Sequence, residues 1–226
     1  MKDKQDTALA APPSPDAPPP PGSVLAELCQ APGNRCRIML EAARLFTRKG
    51  FAATSVREIV EASGVTKPTL YYYFKNKDDL FLSILDFAIA SYFAALDAGI
   101  AAPGGARQRI HTFVQVLAEL FASNLDILRF VHAAFYGPQD STPRFDIKTA
   151  HERLHAKLGL LLEGLATEGG MAPEDGPALD MLLPGLLEAI QCQIMKQDFV
   201  PVPTREQVAR CVDLLLDGAA ARAAAR

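Results

Sequence analysis

No stretch of about 18 uncharged apolar residues occurs in this 226-residue chain, so a membrane-spanning helix is not expected. The richest run, "FLSILDFAIASYFAAL", is interrupted by Asp86. The start, "MKDKQDTALAAPPSP", lacks the apolar segment of a signal peptide. Only four cysteines are present, Cys29, Cys36, Cys192 and Cys211, and no two form a CxxC pair. That scarcity argues against a disulfide scaffold or a zinc ribbon and reads as a reduced, cytoplasmic protein. No stretch alternates with a period of two, so strands are not expected, and no internal repeat is visible. What remains is a chain that is 49% hydrophobic, enough to build a helical core.

Charge is unevenly spread. Residues 34–82 hold nine Lys/Arg against five Asp/Glu, a net of +4, which leaves −7 for the rest of a chain whose total is −3. A basic segment on an acidic body points to a polyanion partner for that segment, although a short window can also drift by chance. Residues 1–33 hold eight of the seventeen prolines, and "APPSPDAPPPPGS" buries too little apolar surface to offset its ordering entropy, so a disordered tail is expected there.

From residue 34 the texture is helical. "RIMLEAARLFTRKG" carries apolar residues at helical spacing and stops at Lys49–Gly50. In "TSVREIVEASG", Ser55 and Glu58 have capping-box spacing, and Gly64 ends the helix. "TKPTLYYYF" opens on Thr66 as cap, with Pro68 in the first turn, where a missing N–H does no harm. Asn76 caps a long fourth helix, with Asp78 and Asp79 at its N-terminal end. Further helices are expected near 106–122, 124–136, 144–167, 175–197 and 204–222. The chain is therefore all-α, with a disordered tail over 1–33, a three-helix domain over 34–80 and a helical regulatory and dimerisation domain over 81–222.

The second and third helices are separated only by "SGV", the tight Gly-containing corner of a helix-turn-helix, whose second helix enters the DNA major groove. On a wheel of about 100° per residue, Leu70 and Phe74 define the buried face of the third helix. Tyr72 then points away from it, and Tyr71 and Tyr73 fall about 80° to either side. Three consecutive tyrosines cannot all pad one core, so Tyr72 needs a second surface, either a protein partner or DNA. In the DNA reading, Thr66, Lys67, Pro68 and Thr69 meet base edges, the tyrosine hydroxyls meet phosphates, Lys75 and Lys77 neutralise phosphates, and Thr54 and Arg57 touch the opposite backbone.

"GFAATSVREIVEASGVTKPTLYYYFKNKDDLF", residues 50–81, resembles the DNA-binding domain of the tetracycline-repressor (TetR) family of bacterial transcription regulators. The likeness rests on Gly50–Phe51, Thr54, Ile59, Ala62, Gly64–Val65 and "TLYYYFKNKDDL", and covers roughly residues 34–84. Many members carry histidine where Tyr73 stands. The resemblance implies operator contact over Thr54–Lys77, carried to Arg57, Thr66 to Thr69, Tyr71 to Tyr73 and Lys77. It also implies a C-terminal domain that dimerises and binds an inducer, hence a homodimeric repressor on a palindromic operator, released by a small molecule. A DNA-binding regulator without an effector is the second reading.

"HERLH", residues 151–155, fits the HExxH pattern in which two histidines on one helical face bind zinc and the glutamate acts as general base. A zinc hydrolase using His151, Glu152 and His155 would need a third ligand, for which Glu174 is the candidate, but "EGGMAPEDGP" breaks the helix before it. The plainer reading is a solvated helical face, or one of these histidines touching a metal or a ligand inside a regulatory pocket. No catalytic residue, cofactor or metal site is assigned.

The regulatory half is less explicit. Aromatics over 106–167 at helical spacing read first as core. Bundle interiors also take apolar ligands, and Phe113, Arg129, His132 and Tyr136 are the candidate lining of a pocket for a mostly apolar ligand with one polar anchor. "ALDMLLPGLLEAIQCQIM" is apolar on more than one face, so it needs cover on more than one side, and "VARCVDLLLDGAA" supplies another apolar stripe. The resemblance implies a four-helix dimer interface built from them, and a large monomeric core is the alternative.

Overall fold

The computed structural model describes residues 33–137 and 142–224. The expected tail lies outside the described residues apart from Gly33. Among the described residues there are nine α-helices and no strand: α1 (Asn34–Lys49), α2 (Val56–Ser63), α3 (Lys67–Tyr73), α4 (Lys77–Ile100), α5 (Ala106–Ser123), α6 (Leu125–Tyr136), α7 (Ile147–Thr167), α8 (Gly176–Met195) and α9 (Arg205–Ala224). A single 3-10 turn, Pro173–Asp175, precedes α8. The all-α expectation holds, and each helix lies where the apolar spacing put it.

These helices form two compact units that do not follow chain order. Of the described residues, the first unit holds 33–91, 123–137 and 142–147, and the second holds 92–122 and 148–224. The chain thus leaves the first unit within α4 and returns to it for α6. The unit carrying the helix-turn-helix is larger than the expected 34–80, because α6 belongs to it.

The core of the first unit explains why. α1 turns Ile38, Met39, Ala42, Leu45 and Phe46 inward, α3 gives Leu70, α4 gives Leu80, Phe81, Ile84 and Leu85, and α6 gives Ile127, Phe130 and Ala134. Phe81 and Phe130 meet edge to face at 4.9 Å between ring centroids, and Phe46 lies 5.6 Å from Phe81 and 6.2 Å from Phe130. Each such ring stabilises the unit by about 1.5–3 kcal/mol through burial alone. At the margin, Arg44 of α1 donates from Nε to Asp126 of α6 at 2.8 Å and from Nη1 to Glu41 at 2.8 Å.

In the second unit α4 and α5 approach closely at Gly99. A Cβ there would lie 2.6 Å from the Phe113 Cα, so only glycine lets the two backbones meet. The N-terminus of α5 is closed by Glu168, whose carboxylate accepts from the Ala106 N–H at 2.8 Å and 3.0 Å. Arg107 and His111 of α5 reach α9: Arg107 donates to Asp213 and Asp217, each at 2.7 Å, and His111 Nε2 lies 3.0 Å from Asp213. α8 buries Leu179, Leu183, Leu187, Ile190 and Ile194, one stripe of a helix that runs on through Pro184.

By length and composition, α4 and the stretch Pro173–Met195 are apolar enough to cross a membrane. Both also bury stripes inside the protein, and α4 carries Asp78, Asp79, Asp86 and Asp97. Among the described residues, Cys192 and Cys211 are free thiols.

Candidate nucleic-acid interface

Local chemistry sets the two helices of the interface. Ser55 and Glu58 close a full capping box: the Glu58 N–H donates to Ser55 Oγ at 3.2 Å, and the Ser55 N–H donates to Glu58 Oε2 at 2.9 Å. Glu58 also receives a hydrogen bond from the Lys49 ammonium at the end of α1. Lys49 and the Ser55 donors together hold the Glu58 carboxyl down to about 2. At the other end of α2, Gly64 takes φ 61° and ψ 30°, the left-handed cap for which glycine has no steric cost. The Val65 N–H then reaches back to the Val60 carbonyl at 3.2 Å, the 6→1 bond of a Schellman turn. The chain leaves this corner into Thr66, whose Oγ1 accepts from the Thr69 N–H at 3.3 Å and starts α3.

The Glu58 arrangement fixes a pH dependence. A carboxyl depressed in the folded state stabilises it fully above the unfolded value, near 4.3. That stabilisation is lost as pH falls from there toward 2. Glu58→Gln keeps a residue able to complete the capping box but removes the charge. The melting temperatures of the two proteins should therefore differ at pH 7 and converge between pH 4.5 and 2. A gap that stayed constant across that range would refute the assignment.

α3 divides its faces as the wheel predicts. Leu70 and Phe74 are buried, and Tyr72 is 82% exposed. Phe74 is the C-cap, extended at φ −136°, so the helix ends one residue before the wheel would suggest. Tyr71 is 45% exposed and Tyr73 half-buried against the core. Tyr73 meets the Tyr72 ring edge to face at 4.9 Å, which stiffens the exposed ring from behind. Thr66, Lys67 and Pro68 are exposed and Thr69 is half-buried. The Lys67 ammonium lies 5.9 Å from the Tyr71 ring centroid. Arg57 on α2 is open to solvent and pairs with Glu61 one turn on, at 2.7 Å.

Two of the expected contact residues are turned inward instead. Thr54 is buried, and its Oγ1 donates to the Gly50 carbonyl at 2.9 Å. Lys77 Nζ donates to the carbonyls of Phe51 at 2.8 Å and Thr54 at 2.9 Å, and sits 4.2 Å from the Phe51 ring centroid. Both side chains are engaged in holding the α1–α2 connection. A cation at a helix N-terminus opposes the helix dipole, so the two carbonyls are what make Lys77 tolerable at the first position of α4. Just before it, the Asp79 N–H donates to Asn76 Oδ1 and the Lys75 N–H donates to Asp79 Oδ2, both at 2.8 Å, so Asn76 caps α4 as expected.

One exposed cation escaped the sequence reading. Arg35, at the start of α1, stands 5.5 Å from the Phe74 ring, beside the end of α3. Its membership of the basic segment was the available signal, but pairing it with Phe74 needs the fold.

The proposed pocket residues are divided between the units. Phe113 belongs to the second, fully buried and with its backbone against Gly99. Arg129, His132 and Tyr136 belong to α6 in the first unit. The His132 and Tyr136 rings lie 4.6 Å apart, with Tyr136 67% exposed. The HERLH residues lie on α7. Glu152, the would-be base, is exposed, 3.6 Å from Lys148. Glu174 is on the separate 3-10 turn, and the carboxylate that reaches the motif is Asp180, which meets His155.

Residues 38–84 match the family described as bacterial regulatory proteins, tetR family. Among curated relatives, the HTH-type transcriptional regulator EthR of Mycolicibacterium smegmatis is 29% identical over 148 residues, 64% of this chain and 65% of that protein. The HTH-type transcriptional repressor KstR2 of the same organism is 26% identical over 173 residues, 71% of this chain and 74% of that protein. The EthR match thus spans just under two thirds of that relative. Among solved structures, the TetR family transcriptional regulator PfmR of Thermus thermophilus superposes with a TM-score of 0.65 at 23% identity, covering 80% of this chain and 95% of that one. That last likeness is one of fold.

Proposed function

We propose that this chain, whose residues 38–84 match the tetR family of bacterial regulatory proteins, is a transcription regulator of that family that binds operator DNA through α3 as a homodimeric, ligand-released repressor. The observation that carries the DNA reading is the face of α3 opposite Leu70. Tyr72 stands out to solvent with Tyr71 beside it, preceded by Thr66, Lys67 and Pro68, all exposed in the basic segment. A mostly exposed tyrosine braced by a neighbouring ring is suited to a phosphate or a sugar edge. Lys67 can donate to guanine, and the Thr69 methyl and Pro68 ring can pack on thymine methyls. Arg57 serves the flanking backbone. Lys77 and Thr54 act one step back, by holding the connection that positions α2. The chain works by binding rather than by catalysis, in the cytoplasm, where the chromosome is.

The dimer reading rests on α8 and α9. Opposite its buried stripe, α8 exposes Met181 and Leu182, and α9 exposes Leu214. Apolar side chains on the outer faces of both final helices fit a partner that repeats them about a two-fold axis. Two recognition helices related in this way match a palindrome. Repression is the action named for KstR2. Release by a small molecule is what the family resemblance implies, and a mostly apolar ligand fits the interior of a helical bundle.

Fluorescence anisotropy on DNA fragments selected from the source genome tests this. Affinity should fall steeply with salt, at two chains per duplex. Tyr72→Ala should weaken binding by about 1 kcal/mol or more on every sequence, and Lys67→Ala should relax specificity at one or two base pairs. Unchanged affinity in Tyr72→Ala would remove α3 from the groove.

A further inference from the structure

The HERLH segment is not absorbed by DNA binding, and its surroundings are more specific than a solvated helix face. His151 and His155 stand one turn apart on α7, with ring centroids 4.3 Å apart. Two nitrogens that bind one late transition-metal ion at about 2.1 Å each are at most about 4.2 Å apart, so these rings need only small side-chain rotations to share one. His155 is oriented from behind: its Nδ1 lies 2.6 Å from Asp180 Oδ2 on α8, within the same unit. A carboxylate accepts only, so Nδ1 donates, and the lone pair of His155 is left on Nε2. Asp180 Oδ1 is buried and has no hydrogen-bond partner.

That orphan oxygen is the second observation. A carboxylate with one oxygen buried and unpaired is costly unless positive charge lies close by. No cationic side chain is paired with Asp180 among the described residues. A metal ion on His155 Nε2 would bring such charge to it through the imidazole. The arrangement of carboxylate, Nδ1–H and outward Nε2 is the one that orients metal-binding histidines and raises their basicity. Glu152, exposed and near Lys148, takes no part.

We propose that His151 and His155 form a two-imidazole site for a divalent ion of the zinc, nickel or copper type, with Asp180 positioning His155. The remaining coordination positions are left to water. Imidazole nitrogen favours these ions over magnesium, which wants oxygen ligands. The site lies apart from α3 in sequence and is independent of the DNA reading.

The test uses the full chain without an affinity tag, stripped with a chelator and then freed of it. Zinc is titrated in competition with a chromophoric indicator. Saturable binding of one ion per chain is expected, matched by nickel and not by magnesium. His151→Ala, at an exposed position, should leave the melting curve of the metal-free protein unchanged and weaken zinc binding at least tenfold. Asp180→Asn should weaken it about 10–100-fold. If Asp180→Asn does not fold, His151→Ala alone decides. Absence of saturable binding would overturn the proposal. So would binding that His151→Ala leaves intact and that thiol alkylation abolishes, because the ion would then sit on Cys192 or Cys211.

Discussion

Phe130→Ala is expected to cost about 3–5 kcal/mol of the stability of the unit that carries the recognition helix. The ring is 1% exposed, lies edge to face on Phe81 and touches the neighbourhood of Phe46. Truncation removes the burial of the ring, its aromatic pairing and the support it gives two other phenylalanines. The cavity opens among α1, α4 and α6, so little can collapse to fill it. Phe130 lies well beyond residues 38–84, which match the family, yet its loss should abolish DNA binding at physiological temperature by unfolding α1 to α3. The chain has no tryptophan, so far-UV circular dichroism in urea is the suitable probe. A midpoint within error of the parent would mean that α6 does not support this core.

Lys77→Met should cost about 2–3 kcal/mol, because hydrogen bonds from a charged donor contribute about 1.5–3 kcal/mol and the ring contact adds to them. Methionine keeps much of the apolar stem and removes the ammonium from the Phe51 and Thr54 carbonyls. The same substitution separates two roles for this residue. As a phosphate contact, Lys77 would lower the salt dependence of DNA binding by about one ion when removed, at unchanged melting temperature. As a clamp on the α1–α2 connection, it should lower the melting temperature and leave the salt slope intact wherever the protein is folded. The structure favours the clamp, and a reduced slope with an unchanged melting curve would reverse that.

The local features were legible because their signals are local. Ser55 with Glu58, Gly64, Thr66 with Pro68, and Asn76 each act over three to five residues, and all stand where spacing and capping chemistry put them. The buried pair Leu70 and Phe74 and the outward Tyr72 followed from helical periodicity alone. What stayed hidden depends on residues far apart in the chain. Arg44 and Asp126 are 82 positions apart, and nothing in either neighbourhood announces the other. The same distance concealed that α6 completes the first core. The partners of Lys77 are hidden for a related reason: a lysine beside a basic, aromatic run looks free until the carbonyls 26 and 23 residues earlier fold over it. The proposed pocket residues rest on helical spacing and on aromatic and polar side chains, but those signals do not distinguish packing from binding, and Phe113 is packed against Gly99.

The interruption of the first unit has a consequence for synthesis. After Ser91 the ribosome must translate residues that belong to the other unit before it reaches α6, which ends at Tyr136. At 5–20 residues per second that interval is roughly 2–9 seconds. For most of it, Phe46 and Phe81 are already made while Phe130, which packs against both, does not yet exist. The nascent recognition domain therefore passes through a period with an open apolar face, during which a chaperone or a second nascent chain can reach it.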